Sequence, residues 1–450
     1  MHVPKQIRSI NSILTGAGYQ CYIVGGAVRN DIAGIPPTDY DLATDAPPSE
    51  VQRLFHRTVP TGIDHGTVTI LMGGGQYEIT TFRTESSYSD SRHPDQVEFS
   101  TSIEEDLSRR DFSMNALAWN VSDSRLIDLY DGVKAIRSGI IAAIGRPEKR
   151  FAEDPLRILR GCRFAAQLGF TIENETRQAA AELCASLKRI SSERIRDEFN
   201  KLVTGPYCAQ GLFLLRDLGI LPHILPELQR CTGVFQKGAH SFDVFEHSVY
   251  SCEGAPQEDL TLRLAALFHD LGKPASVQEA EDGTISFHRH EILGAEITGN
   301  LMYRLKYPKH TIREVLHLIR QHMFNYTDDW TDAAVRRFLA RVGRENIEKL
   351  FTLRRADAYG LDRRPLPLDY LSALQRRIDL VLTDENALSL KDLKVNGRDL
   401  MELGLPAGPL LGVVLDQLLE TVLDDPNMNS RDKLLPLAKN LYEELRSRDS

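Results

Sequence analysis

Two aspartates one residue apart, Asp39 and Asp41, follow closely on the double glycine of Gly25-Gly26-Ala27-Val28-Arg29. In an extended strand, residues two apart project from the same face, so the two carboxylates would stand side by side. Neighbouring carboxylates repel unless a cation sits between them, and hard oxygen ligands suit Mg²⁺. A glycine turn feeding a helix N-terminus leaves backbone N–H groups open to a phosphate. Phosphate cradle and metal carboxylates together are the equipment of two-metal phosphoryl or nucleotidyl transfer. Glu78, on a strand pattern further on, is either a third carboxylate beside this pair or a solvated strand residue.

Arginines come next. In Arg109-Arg110-Asp111-Phe112-Ser113-Met114-Asn115-Ala116, the charges form either a surface ion-pair cluster or part of the site. In the second case Arg110 offsets phosphate charge, and Asp111 holds the ribose or orients an arginine. In Glu153-Asp154-Pro155-Leu156-Arg157-Ile158-Leu159-Arg160-Gly161-Cys162-Arg163, a helix would align Arg157, Arg160 and Arg163 behind Asp154. A solvated charged face explains that stripe equally well. Asp154 and Arg157 together offer an acceptor and donors, as reading a nucleobase edge requires. Arg160 and Arg163 suit triphosphate oxygens. Farther on, His269-Asp270, with His247 before it and His290 and His322 after it, fits a divalent metal site spread over several helices.

The elements that must position these residues are legible in outline. Residues 4–18 read as an amphipathic helix and Tyr22-Ile23-Val24 as a buried strand. Val68 to Leu71 and Tyr77 to Phe82, joined through Gly73-Gly74-Gly75, read as a hairpin. Residues 84–96 read as a polar loop, and Asp128 to Gly132 as a plain turn. Asp154 and Pro155 suit an N-cap and first helical position, and helical periodicity runs from there to the end. The 450 residues suggest two to four domains. Hydrophobic content of 42% and charged content of 26% are ordinary for globular protein, and no apolar run is long enough for a membrane span. The N-terminus lacks a signal-peptide pattern, so the cytoplasm is expected. Six scattered cysteines exclude a Cys-based zinc site and read as buried apolar groups. A net charge of −9 disfavours nucleic acid on its sum, yet Arg and Lys cluster between 146 and 201 and between 336 and 377.

The motif order Gly-Gly-x-Val-Arg, Asp-x-Asp, Arg-Arg-Asp-Phe-x-x-Asn-Ala and Glu-Asp-x-x-Arg, over about residues 20–230, resembles the class II tRNA nucleotidyltransferases, relatives of bacterial poly(A) polymerases. The resemblance implies an α+β fold: a small polymerase-β-like head with a mixed sheet, then helical neck, body and tail. It implies two Mg²⁺ on Asp39 and Asp41. It implies Gly25, Gly26, Arg29, Arg110 and Asp111 at the nucleotide, and Asp154, Arg157, Arg160 and Arg163 as an amino-acid template for CTP and ATP at the tRNA 3′ end. The loop Thr84–Gln96 corresponds to the family's flexible loop. One departure is Asn30, where the family usually has Asp after the arginine. Residues 240–330 resemble the HD phosphohydrolases, which implies His247, His269, Asp270, His290 and His322 as metal ligands, with Asp357 as a distal aspartate.

These readings divide the chain into a head (1–145), neck and body (146–235), HD-like domain (236–330) and helical tail (331–450). The expected function is template-independent addition of C and A to tRNA. Its rivals are CC-only or A-only addition, poly(A) polymerase, a mainly HD-type phosphohydrolase and a plain RNA-binding module. The acidic C-terminal segment Glu443-Glu444 sits poorly with the basic extension of poly(A) polymerases.

Overall fold

A computed structural model describes the chain except residues 64–65, 87–95, 236–240, 280, 282–284, 366, 384–387 and 449–450. The core of the expected loop Thr84–Gln96 therefore lies outside the described residues. Packing divides the chain into two units: 1–234 with 256–263 and 300–308, and 235–255 with 264–299 and 309–450.

The first unit opens with helix α1 (Lys5–Gly16), whose Ile7, Ile10 and Leu14 are buried at helical spacing. A seven-stranded sheet follows, built from β1 (Tyr22–Val24), β2 (Asp41–Thr44), β3 (Thr58–Gly62), β4 (Thr67–Met72), β5 (Gly75–Thr81), β8 (Leu117–Asn120) and β9 (Arg125–Asp128). The strands lie in the order β3-β4-β5-β2-β1-β8-β9. β1 pairs antiparallel with β2 and β8, while β2 pairs parallel with β5, which makes the sheet mixed. β6 (Arg83–Ser86) and β7 (Gln96–Phe99) form a separate antiparallel pair.

Register decides which residues meet. Val24 stands opposite Asp41, and Leu42 pairs with Ile79, so Asp41 and Glu78 precede paired positions on adjacent strands and share one face. The buried residues of that face include Val24, Ala43 and Ala118, packed against Ile103 and Leu107 of a short helix. The helices of this part are α2 (Gly26–Ile32), α3 (Pro48–Leu54), α4 (Ile103–Ser108) and α5 (Gly132–Ser138). Arg109 and Arg110 emerge where α4 ends, on the face that carries Asp41.

The remainder of this unit is helical: α6 (Pro147–Glu153), α7 (Leu156–Leu168), α8 (Asn174–Leu183), α9 (Ser192–Val203) and α10 (Cys208–Asp217) lead on to shorter turns. Asp154 Oδ1 accepts the Leu156 N–H, so the aspartate caps α7 as expected, one residue further out. Gly169, at φ +71°, stops the helix.

The expectation of unbroken helix after Asp154 needs correction. Ile140–Ile141 (β10) pairs parallel with Thr171–Ile172 (β11), and Val277–Glu279 (β12) pairs with Ile285–Phe287 (β13). Most of these positions are β-branched or aromatic, with side chains that fit a pleated ribbon better than a helix surface. Asp128 does what a plain turn asks of it, accepting the N–H groups of Gly132 and Val133. All six cysteines are buried thiols. No helix among the described residues is long and apolar enough to cross a membrane.

Candidate active site and candidate metal centre

The head site begins at Gly25. Its φ of +63° lets the chain turn from β1 into α2, and a Cβ there would lie 3.0 Å from Arg110 Nη1. Only glycine combines that backbone shape with so close an arginine. Arg110 is held by Asp106 (Nη2 to Oδ2, 3.1 Å) and by the Asn115 carbonyl, while its Nε is buried without an acceptor. Asp106 also holds Arg109 at 2.7 Å, so one buried carboxylate aims both arginines.

Asp39 and Asp41 are exposed at the mouth of this turn. Asp41 is accessible at its strand end, yet the protein mass behind it still disfavours its charged form. Its pKa is therefore raised, first by that desolvation and then by Glu78, with Asp39 adding to the shift and Arg110 opposing it. The like charges expected to crowd here do so electrostatically. Asp39, Asp41 and Glu78 are not among the groups of three whose ligand atoms lie within 4.8 Å of one another. The donor set is all oxygen and carries unrelieved negative charge, which fits a hard divalent cation.

Arg29 points from α2 toward the same region. Its guanidinium donates to Asn115 Oδ1 at 2.7 Å and to Asn30 Oδ1 at 2.9 and 3.1 Å. Asn30 thus orients Arg29 through a neutral amide. Burial lowers the Arg29 pKa, with Asp111 working against it.

A buried network then joins head to neck. Asn115 Nδ2 donates to Asp111 Oδ1 at 3.0 Å, and Arg160 grips Asp111 Oδ2 through Nε and Nη2 at 2.8 and 2.5 Å. Burial alone would raise the Asp111 pKa. Arg160, the Asn115 amide and the Phe112 N–H outweigh it and hold the carboxyl at about 2. Arg163 pairs with Glu198 of α9 at 2.8 Å and lies over the Phe164 ring at 3.9 Å, with Arg29 and Arg160 flanking the same ring. Burial brings Arg163 down to about 10.

Asp154 and Arg157 sit at the start of α7, but not as a mutual pair. Asp154 Oδ2 binds Arg194 Nη2 of α9 at 2.8 Å. Arg157 donates to Glu153 at 2.9 Å, to the Arg150 carbonyl, and to the Arg109 carbonyl at 3.0 Å. Sequence reasoning named neither Arg194, Glu198 nor Asp106, and it gave no role to Glu153 or Asn115. Glu153 and Asn115 stood inside recognised motifs; the others carry no local signal beyond helical spacing.

In the second unit, the histidines converge. His247 Nε2 and His269 Nε2 are 3.1 Å apart. Asp357 Oδ1 lies 3.1 Å from the first and 3.5 Å from the second. Asp270 Oδ2 lies 3.2 Å from His269 Nε2, and Asp270 Oδ1 lies 3.5 Å from His290 Nε2. Gly360 permits this, because a Cβ there would come within 2.8 Å of the His247 carbonyl and push the helix Ile347–Asp362 away. His269, His290 and His322 each place Nδ1 within 2.8 Å of the carbonyl three residues earlier, at Ala266, Phe287 and Ile319. A carbonyl only accepts, so each Nδ1 carries the proton and each Nε2 is turned inward as a ligand atom. Asp270 and His290 Nε2 are buried without a hydrogen bond, although Lys273 Nζ lies 2.6 Å from Asp270 Oδ2. His247, His269 and Asp357 form one group of ligand atoms within 4.8 Å, and His269, Asp270 and His322 another. This donor set fits a divalent ion of the first transition row. A cavity of about 480 Å³ opens onto it, bounded also by Phe287, Arg354 and Tyr370.

Residues 21–142 match the family model for the poly A polymerase head domain, residues 169–231 that for a probable RNA and SrmB-binding site of polymerase A, and residues 238–361 the HD domain. The CCA-adding enzyme of Ligilactobacillus salivarius is 33% identical over 98% of both chains, and that of Enterococcus faecalis 34% identical over 96% of this chain and 94% of that one. The chain belongs to the CCA-adding enzyme family. The match to the Lactiplantibacillus plantarum CCA-adding enzyme is closer, at 53% identity, but spans 46% of this chain and half of that relative. Among solved structures, the Bacillus stearothermophilus CCA-adding enzyme in complex with CTP aligns with a TM-score of 0.75 at 30% identity, covering 100% of this chain and 99% of that one. As in CCA-adding enzymes generally, a mixed-sheet head precedes a helical body with an HD domain, which the two short strand pairs do not alter. Both matched families are metal-dependent, and the HD match extends past residue 330 to include Asp357.

Two outcomes follow from these charges. Asp111 has a depressed folded-state pKa, so its contribution is present above the ordinary value of 3.8 and is lost as pH falls toward about 2. Asp111→Asn should lose roughly 2 kcal/mol at pH 7 and much less near pH 2, measured by urea unfolding across that range. At the histidine cluster, burial would lower the His269 pKa, but Asp270 and Asp357 raise it to about 10 without metal. Metal must displace that proton, so Mn²⁺ or Ni²⁺ affinity should rise with pH between 6 and 8. Calorimetry with chelator-treated protein measures this, and His322→Ala should weaken binding at every pH.

Proposed function

We propose that this chain adds C and A nucleotides, from CTP and ATP, to the 3′ end of tRNA without a nucleic-acid template. The observation that carries the reading is the convergence of Gly25, Arg110, Asp41 and Glu78 on one face of the central strands, bonded through Arg109 and Asp111 to the helix α7 that follows Asp154 and carries Arg157 and Arg160. In this reading residues 1–145 transfer the nucleotide and residues 146–235 read the base and bind RNA. Residues 236–330 form the HD-like domain, and residues 331–450 are a tail. The reaction belongs in the cytoplasm, where buried thiols stay reduced.

Asp39 and Asp41, with Glu78 as a third carboxylate, would hold two Mg²⁺. Magnesium held there would supply the charge that lowers the pKa of the RNA 3′-hydroxyl and stabilises the departing pyrophosphate. The backbone of Gly25 and Gly26 receives the triphosphate, and Arg29 and Arg110 offset its charge. Asp111 does not touch the nucleotide directly in this scheme; it holds Arg160 in place, while Arg160 and Arg163 line the approach. Asp154 and Arg157 head the base-reading end. Cytosine and adenine both present an amino donor beside a ring-nitrogen acceptor, whereas uracil and guanine reverse that order. A fixed acceptor beside a fixed donor therefore accepts C and A and leaves buried groups unpaired against U and G.

A second activity is favoured by the inward-turned imidazoles of His269, His290 and His322. We propose that His247, His269, Asp270, His290 and His322, with Asp357, bind a divalent metal and hydrolyse phosphate esters such as 2′,3′-cyclic phosphate ends. Lys273 and Arg354 border the cavity as cations for the phosphate.

Labelled CTP and ATP, offered to tRNA lacking its last one, two or three nucleotides, test the main reading. Wild type should extend all three acceptors, and Asp41→Ala should lose at least 10³-fold in rate, on the order of a missing metal site. Extension by CC alone or A alone would assign the partial activity instead. Asp154→Ala should keep tRNA affinity while incorporating UTP and GTP more readily.

A further inference from the structure

The arginines around Arg29 each have a carboxylate: Arg110 has Asp106, Arg160 has Asp111 and Arg163 has Glu198. Arg29 differs. Among the described residues it makes no ion pair; it donates to Asn115 Oδ1 from Nη1 at 2.7 Å and to Asn30 Oδ1 from Nε and Nη2 at 3.1 and 2.9 Å. Asp111 acts on it at longer range, with Oδ2 given to Arg160 and Oδ1 to the Asn115 amide. Burial meanwhile disfavours the Arg29 charge. A partly buried cation without a counter-ion is costly, so an anion arriving there gains what the protein alone leaves unmet. The place is the glycine turn. A Cβ on Gly26 would meet Arg29 Nη2 at 3.7 Å, and one on Gly25 would meet Arg110 Nη1 at 3.0 Å. The Phe164 ring, with its centre 5.2 Å from the guanidinium carbon, closes another side.

We propose that Asn30 is an affinity-determining positioning residue: it aims Arg29 through an amide rather than a carboxylate, and so leaves a whole positive charge beside Gly26 for the triphosphate of CTP or ATP. This deepens, and rests on, the reading of the glycine turn as the triphosphate end of the site. An amide oxygen accepts the same two N–H bonds as a carboxylate oxygen, so direction is kept while charge is not cancelled. Asn115 does the same at Nη1. One N–H on each terminal nitrogen of Arg29 then remains for an anion. A carboxylate at position 30 would make the stronger bond to Arg29 and the weaker phosphate site.

Asn30→Asp separates charge from shape, since the two side chains are nearly the same size. Calorimetry on the full chain in Mg²⁺ measures Kd for CTP and for CMP, which carries fewer charges. Wild type should bind CTP more tightly than CMP. In Asn30→Asp that preference should fall about ten-fold, the order of one added charge close to a partly hydrated phosphate. If residue 30 serves only to hold Arg29 in place, the carboxylate holds it at least as well, and the preference stays or rises. The preference is a ratio within one protein, so it does not depend on the folded fraction. If Asn30→Asp fails to fold, Asn115→Asp sets the carboxylate against Nη1 and carries the same expectation. A preference unchanged in the variant overturns the inference, as does a wild type that binds CTP and CMP alike. A wild type that binds no CTP overturns the nucleotide-site reading itself.

Discussion

Asp111 and Arg160 meet across 49 residues of chain in a two-armed ion pair buried between the head and the first long neck helix. The rest of the first unit's site depends on that contact. Asp111 also holds Asn115, which holds Arg29, and the Asn115 carbonyl steadies Arg110. One carboxylate therefore sets the aim of three arginines belonging to α2, to the end of α4 and to α7. Burying the pair is costly in itself; what it secures is relative position, since a charge left without its partner there would cost several kcal/mol. The carboxylates proposed to bind metal on the sheet and the residues proposed to read the base at the helix start are thereby kept in one frame, as that reading demands.

Charge is distributed unevenly around that frame. On the central strands, Asp41 sits with Glu78 and Asp39 near enough to raise its own pKa, a state that a cation relieves. Among the described residues, Arg29 donates to the amide oxygens of Asn30 and Asn115. An amide orients a guanidinium without cancelling it, so this arginine keeps its charge for an anion. Excess negative charge at the proposed metal site and excess positive charge at the proposed triphosphate site match the electrostatics that nucleotidyl transfer requires.

The histidine cluster of the second unit follows different logic. Its imidazoles are fixed from behind by carbonyls three residues earlier, a local helical relation that turns each Nε2 inward. Its carboxylates are balanced by cations: Lys273 lies against Asp270, and Arg354 against Asp357. Burial pulls the His322 pKa down, His269 adds to that, and the ring is held at about 3, neutral and ready to ligate.

Local pattern was enough to read the glycine turn into a helix, the strand before it, the hairpin bearing Glu78, the cap at Asp154 and the His-Asp pair. These follow from spacing, backbone preference and side-chain chemistry within about twenty residues, and the sequence alone therefore carried the family, the α+β order and most candidate site residues. Tertiary structure decided what spacing cannot express. Helical spacing put Arg157 beside Asp154, but packing of α9 on α7 brings Arg194 there, while Arg157 bonds to Glu153 and to the carbonyls of Arg109 and Arg150. Glu198, Asp106 and Asn115 look like ordinary polar residues until folding buries them against arginines. The short strands after residue 139 depend on pairing partners distant in sequence, which no local period announces. A hydrogen-bond partner is chosen by distance and direction in space, and for residues dozens of positions apart only the folded chain supplies both.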